Sequence, residues 1–70
     1  MSNAQEHLER AIKINPEFAD AHYELAIILS DKKEFDKSKI HFQRTIEIKP
    51  DNPLAHFNFA LLLFEMKDLK

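Results

Sequence analysis

Seventy residues with a mass of 8.3 kDa bound the chain to one small domain, in which folding buries roughly 60% of the unfolded surface. A composition of 44% apolar and 31% charged residues indicates a globular chain rather than a disordered one. The absence of glycine and cysteine excludes phosphate-cradling loops, dinucleotide fingerprints, disulfides, thiol nucleophiles and thiolate zinc sites.

Ten basic against twelve acidic side chains give a net charge of −2, with no strongly basic face for nucleic acid. The longest purely apolar run, Phe59 to Phe64, is far too short to cross a bilayer. The start shows no basic segment leading into an apolar core, so a cytoplasmic location is expected.

Four helices are expected in chain order. The first covers Ser2 to Ile14, with Ser2 and Gln5 placed as a capping box. Glu6/Arg10 and Glu9/Lys13 give it i,i+4 pairs on a wet face. The second runs from Ala19 to about Lys32; Tyr23, Ala26, Ile27, Leu29 and Ser30 keep helical spacing, and Leu25 and Ile28 widen the stripe. Lys32, Lys33 and Glu34 form a short turn.

The third helix runs from about Asp36 to Ile48, with Ile40, Phe42, Ile46 and Ile48 apolar and Asp36 or a neighbour as cap. Pro50 ends it, because proline lacks the helical donor and restricts the residue before it. Asn52 and Pro53 read as the cap and first-turn proline of the fourth helix. That helix spans Leu54 to Met66, followed by a stub at Asp68 to Lys70.

A shift of 34 positions brings the chain into register with itself. His7/His41, Arg10/Arg44, Ile12/Ile46, Ile14/Ile48, Pro16/Pro50, Ala21/Ala55, His22/His56, Ala26/Ala60 and Lys33/Lys67 are identical. Leu8/Phe42, Tyr23/Phe57, Leu25/Phe59 and Ile28/Leu62 keep their class. A period of this length implies stacked supersecondary units that cannot bury their apolar faces alone. Residues 1–70 then form one segment: the second helix of a partial repeat (2–14), a full repeat (19–52), and the first helix of another with its stub (53–70).

This pattern resembles the tetratricopeptide repeat family over nearly the whole chain, most clearly from Ala19 to Pro50. A related helical repeat of the same length is the alternative. The resemblance implies an all-α fold: four helices in antiparallel helix-turn-helix repeats, wound as a right-handed superhelical solenoid. It implies small residues at the close approach of paired helices, here Ala26 and Ala60 against Ala4, Ser38, Ala11 and Thr45. Leu25/Phe59, Leu29/Leu63, Phe35/Leu69 and Leu8/Phe42 match its large buried positions, and Pro16 and Pro50 its repeat-end proline. His22 and His56 replace a common aromatic, Lys33 and Lys67 the usual turn glycine, and Ser38 and Thr45 alanines.

The resemblance further implies a non-catalytic scaffold for protein or peptide partners, whose first helices line a groove. The groove positions are Asp20, Tyr23, Ile27, Ser30 and Asp31, then Leu54, Phe57, Asn58, Leu61, Phe64 and Glu65. Asn58 fits an asparagine position of the family's carboxylate-clamp mode, but Tyr23, Leu54 and Asn58 stand where that mode uses basic side chains, and no carboxylate clamp is expected. A hydrophobic or weakly basic segment is therefore the expected ligand. Packing of Tyr23, Phe57 and Phe64 against neighbouring helices is the competing account of these rings. Asp20, Asp31 and Glu65 compete with a role as ordinary solvated carboxylates.

Four histidines raise the question of a metal. His7/His41 and His22/His56 lie one repeat apart, about 9–10 Å between equivalent stacked helices, too far to share one ion easily. No metal and no other cofactor is expected, and His22 and His56 are expected as partly buried wedges. Short paired helices offer no deep cleft for general acid–base or nucleophilic catalysis, so no enzyme is expected. Both terminal helices lack a partner in the repeat scheme, and the last is apolar nearly all round. Either neighbouring repeats of a longer protein cover these faces or a second copy does; for the segment in isolation a homodimer or higher homo-oligomer completing the stack is expected, by domain swapping or by exposed faces, with no membrane and no nucleic-acid partner.

Overall fold

A computed structural model describes residues 3–68. Four helices follow one another there: α1 (Ala4–Ile14), α2 (Ala19–Asp31), α3 (Phe35–Ile48) and α4 (Pro53–Asp68). No strand occurs among the described residues. The architecture is an all-α helical repeat.

Local chemistry sets each boundary. Asn3, in extended geometry, caps α1 through Oδ1, which accepts the Glu6 N–H at 2.9 Å. This corrects the Ser2–Gln5 capping box. Asparagine and serine cap equally well, and the asparagine one position on takes the role, while Ser2 lies outside the described residues. Gln5 is thereby freed to donate to Glu9 at 3.2 Å and to accept from Lys32 Nζ. Past the end of α1, Asn15 Oδ1 accepts from the Glu17 N–H at 3.1 Å and bends the chain toward α2.

Between α2 and α3 the chain turns in three residues. The Glu34 N–H bonds back to Leu29 O at 2.9 Å and the Lys33 N–H to Ser30 O at 3.0 Å. These two bonds form a Schellman motif, which requires a left-handed residue at its centre. Lys33 takes that place with φ of 66°. The tightness of the turn moves the start of α3 to Phe35 and its cap position to Glu34, which makes no side-chain cap bond. Asp36 therefore sits inside the first turn instead of capping it. Asn52 caps α4 as expected, its Oδ1 accepting from Leu54 N at 3.0 Å and Ala55 N at 3.3 Å. The helix starts at Pro53 and runs to Asp68, absorbing the start of the expected stub; Leu69 and Lys70 lie outside the described residues.

α2 packs on α1 and α3, and α3 packs on α4. The core centres on Ala26, Phe42 and Leu62, with Tyr23, Ile27, Phe35, Phe59 and Met66 against it. Phe42 meets Tyr23 edge-on at 6.2 Å and stacks with Phe59 at 6.1 Å. Ala26 and Ser38 are fully buried, and Ser38 Oγ donates to Ala26 O at 2.6 Å, so the two backbones meet closely there. Thr45 is also fully buried, and its hydroxyl donates to His41 O at 2.9 Å. The two hydroxyls that stand in place of alanine are thus satisfied.

The Cα atoms fill a slab of 35 × 31 × 15 Å, thin enough to leave a face of each terminal helix open. Several positions expected to be buried lie on those faces. Ala4 and Ala60 are exposed, and Leu63 is 42% exposed where its counterpart Leu29 is buried. His56 is exposed where His22 is buried. The reason is common to all four: among the described residues no helix covers the flank of α4 that matches the α3-facing flank of α2, nor the matching flank of α1. Phe35 is half-buried, and its counterpart Leu69 lies outside the described residues.

Candidate binding face

α2 and α4 run along the two sides of a shallow cleft, with α3 beneath. Ile27, Ser30 and Asp31 line one wall, Asn58, Leu61 and Glu65 the other, and Phe42 and Leu62 form the floor. Its volume of about 190 Å³ lies below the roughly 300 Å³ at which small-molecule sites begin. The cleft has room for one side chain. Its floor is apolar, its walls mix Ile27 and Leu61 with Ser30 and Asn58, and two exposed carboxylates, Asp31 and Glu65, stand at its rim.

Six residues expected in a groove therefore line this cleft: Ile27, Ser30, Asp31, Asn58, Leu61 and Glu65. Tyr23 adjoins it, since Asn58 Nδ2 donates to the Tyr23 hydroxyl at 2.8 Å and to Leu54 O at 3.0 Å. That bond ties α2 to α4 and holds the wall of the cleft. Leu54, Phe57 and Phe64 lie outside it and project from α4, 60%, 61% and 64% exposed. With Leu61 they form an apolar stripe at helical spacing along the cleft's outer edge. Asp20 is exposed and does not line the cleft. Of the three rings for which helix packing was the competing account, only Tyr23 packs on a neighbouring helix, through Phe42.

The histidines arrange themselves across helices and not along the repeat. His22 Nδ1 lies 2.9 Å from His41 Nδ1, and His22 Nε2 lies 2.8 Å from Pro16 O. A carbonyl only accepts, so His22 Nε2 carries hydrogen and donates. His41 lies below its ordinary value of 6.5, chiefly through burial and then through His22, with Glu9 pulling the other way. The hydrogen-bond contact leaves no room for an ion between the two rings. His56 repeats the first brace, its Nε2 2.6 Å from Pro50 O.

The 34-residue offset does not relate His22 to His41. The signal of the pair is the antiparallel register of two neighbouring helices, which places residues 19 apart side by side. Arg44 was likewise missed as a tie. It bonds Glu17 at 2.9 Å and Glu47 at 2.7 Å, linking the turn before α2 to α3. Those hydrogen bonds, to Glu47 first and then Glu17, raise the guanidinium above its ordinary value. Among the described residues no three His, Asp or Glu side chains converge as metal ligands. None of the described helices is long and apolar enough to cross a membrane.

A family model described as tetratricopeptide repeat matches residues 1–56. No curated protein and no solved structure gives a significant match to the chain.

Proposed function

The chain belongs to the tetratricopeptide repeat family, whose repeats generally mediate protein–protein contacts without catalysing a reaction, and from that premise we propose that it is a non-catalytic scaffold that binds an extended peptide in the α2–α4 cleft. The ligand presents one apolar side chain, which enters above Phe42 and Leu62, flanked by a lysine or arginine that meets Asp31 and Glu65. The apolar stripe of α4 extends the contact along the peptide. The observation that carries this reading is the convergence of an apolar floor and a two-carboxylate rim in a space sized for a single side chain. Apolar anchors seated in such pockets dominate binding energy, and rim charges add selectivity and association rate.

Tyr23 is the one tyrosine of a chain without tryptophan, and it adjoins the cleft, so its fluorescence reports occupancy directly. The test titrates two twelve-residue peptides, one carrying Leu-Lys-Arg and one Leu-Glu-Asp, and maps amide shifts by NMR. Saturable shifts at Ser30, Asn58 and Leu61 with the basic peptide, weakened at least tenfold by Glu65→Lys, are expected. Equal binding of both peptides, or no shift up to millimolar concentration, overturns the proposal.

A second reading is favoured by the open flanks of α1 and α4: a structural segment that associates with its own copies. Nothing in it uses the cleft.

A further inference from the structure

We infer that copies of this chain associate head to tail, the open flank of α4 on one copy docking on the open flank of α1 on the next. The inference rests on the self-association reading and gives it a register. The chain supplies its own template in the α2–α3 pair. There Ala26 meets Ser38, His22 meets His41, and both helices bury a flank against each other. A shift of 34 residues carries His22, Ala26 and Leu29 onto His56, Ala60 and Leu63 of α4, all exposed. The same shift in reverse carries Ser38, Thr45 and Ile48 of α3 onto Ala4, Ala11 and Ile14 of α1.

Ile14 is 85% exposed, the most exposed large apolar side chain among the described residues. On α4 the docking flank presents Ala60 and Leu63, the latter 42% exposed, beside His56. Each flank thus repeats the positions of one half of an interface already formed within the chain, with identical residues at His56, Ala60, Leu63 and Ile14 and with alanine for Ser38 and Thr45 on α1. At the point of closest approach both ends are alanine, where the template has alanine and serine, so the backbones can approach as they do between Ala26 and Ser38. The two flanks differ from each other, which makes the contact heterologous. A heterologous contact between chains does not close on two copies, and growth continues into longer assemblies.

Two variants test the register. Ala60→Glu and Ala4→Glu each place a charge at the point of closest approach, on exposed helical positions that tolerate glutamate. Sedimentation velocity from micromolar to millimolar concentration reads mass, and circular dichroism checks that helicity is kept. The unaltered chain is expected to grow beyond twice its 8.3 kDa mass as concentration rises. Each variant alone is expected to stay monomeric. Mixed in equal amounts, they retain one intact α4 flank and one intact α1 flank, and are expected to form a dimer that stops there. A monomeric unaltered chain at every concentration overturns self-association and its register together, leaving these flanks to other partners. Dimerisation of Ala4→Glu alone overturns only the register, because it shows an α4–α4 contact. A peptide bound in the cleft adds only its own mass and leaves the number of copies in each species unchanged.

Discussion

His22 and His41 share one hydrogen between their Nδ1 atoms at 2.9 Å, and the direction of that bond is set by Pro16. Because His22 Nε2 donates to Pro16 O, its Nδ1 in the neutral ring accepts, and His41 Nδ1–H donates to it. Protonation of both rings sets two N–H groups and two positive charges against each other.

His41 makes stability depend on pH. His41 binds its proton less well folded than unfolded, because of burial first and His22 second, with Glu9 offsetting part. Between the lowered folded value and the ordinary 6.5, the unfolded chain holds more protons, so stability rises with pH. Stability is complete above the ordinary value and is lost as pH falls below it, with a slope under about 1.4 kcal/mol per pH unit for one proton. Urea unfolding between pH 8 and pH 5 measures this, and His41→Gln should flatten that part of the curve. An unchanged slope in the variant would remove His41 as the cause.

Lys33 occupies a left-handed backbone position that a side chain with Cβ disfavours. Lys33→Gly relieves that strain, gives up the Nζ contact 5.9 Å from the Phe35 ring, and adds freedom to the unfolded chain. The expected net is a gain of about 0.5–1 kcal/mol by urea denaturation. Lys33→Val should destabilise, since a branched Cβ tolerates this geometry least.

Phe42 and Phe57 separate the core from the face. Phe42 is 2% exposed and touches rings from two other helices, so Phe42→Ala removes about 3–5 kcal/mol. That is most of what a domain this size holds, and the variant should be largely unfolded at 25 °C by circular dichroism. Phe57→Ala, at a solvent-facing position on α4, should stay within about 0.5 kcal/mol of the parent.

Asn52 holds the first turn of α4 by accepting two N–H groups. Asn52→Ala should cost about 1 kcal/mol and speed hydrogen exchange at Leu54 and Ala55. Asn52→Ser should restore most of both.

Much of this fold is legible in the residues. Pro50, Asn52 and Pro53 mark a helix end and the next start because each acts through its own backbone. The family resemblance implies a small residue opposite Ala26, and Ser38 is there. What escapes the sequence depends on neighbours. Asn3 and Ser2 are equally good caps, and only the path of the chain chooses between them. Ala60 and Leu63 read as buried because their counterparts are, yet burial needs a helix to lie on them. The cleft was half legible: Ile27, Ser30, Asp31, Asn58, Leu61 and Glu65 converge, while Phe57 and Phe64 lie farther round α4, outside its lining.

The imidazole brace occurs twice, from His22 to the Pro16 carbonyl and from His56 to the Pro50 carbonyl. In both units a ring near the start of a helix is fastened to the loop that delivers it, within seven residues of chain. Each brace is a short-range tether that acts on the entry angle of its helix before anything stacks on top. An array built from this sequence would inherit its curvature one link at a time, as a chain of pre-set hinges and not as a spring tensioned from its ends.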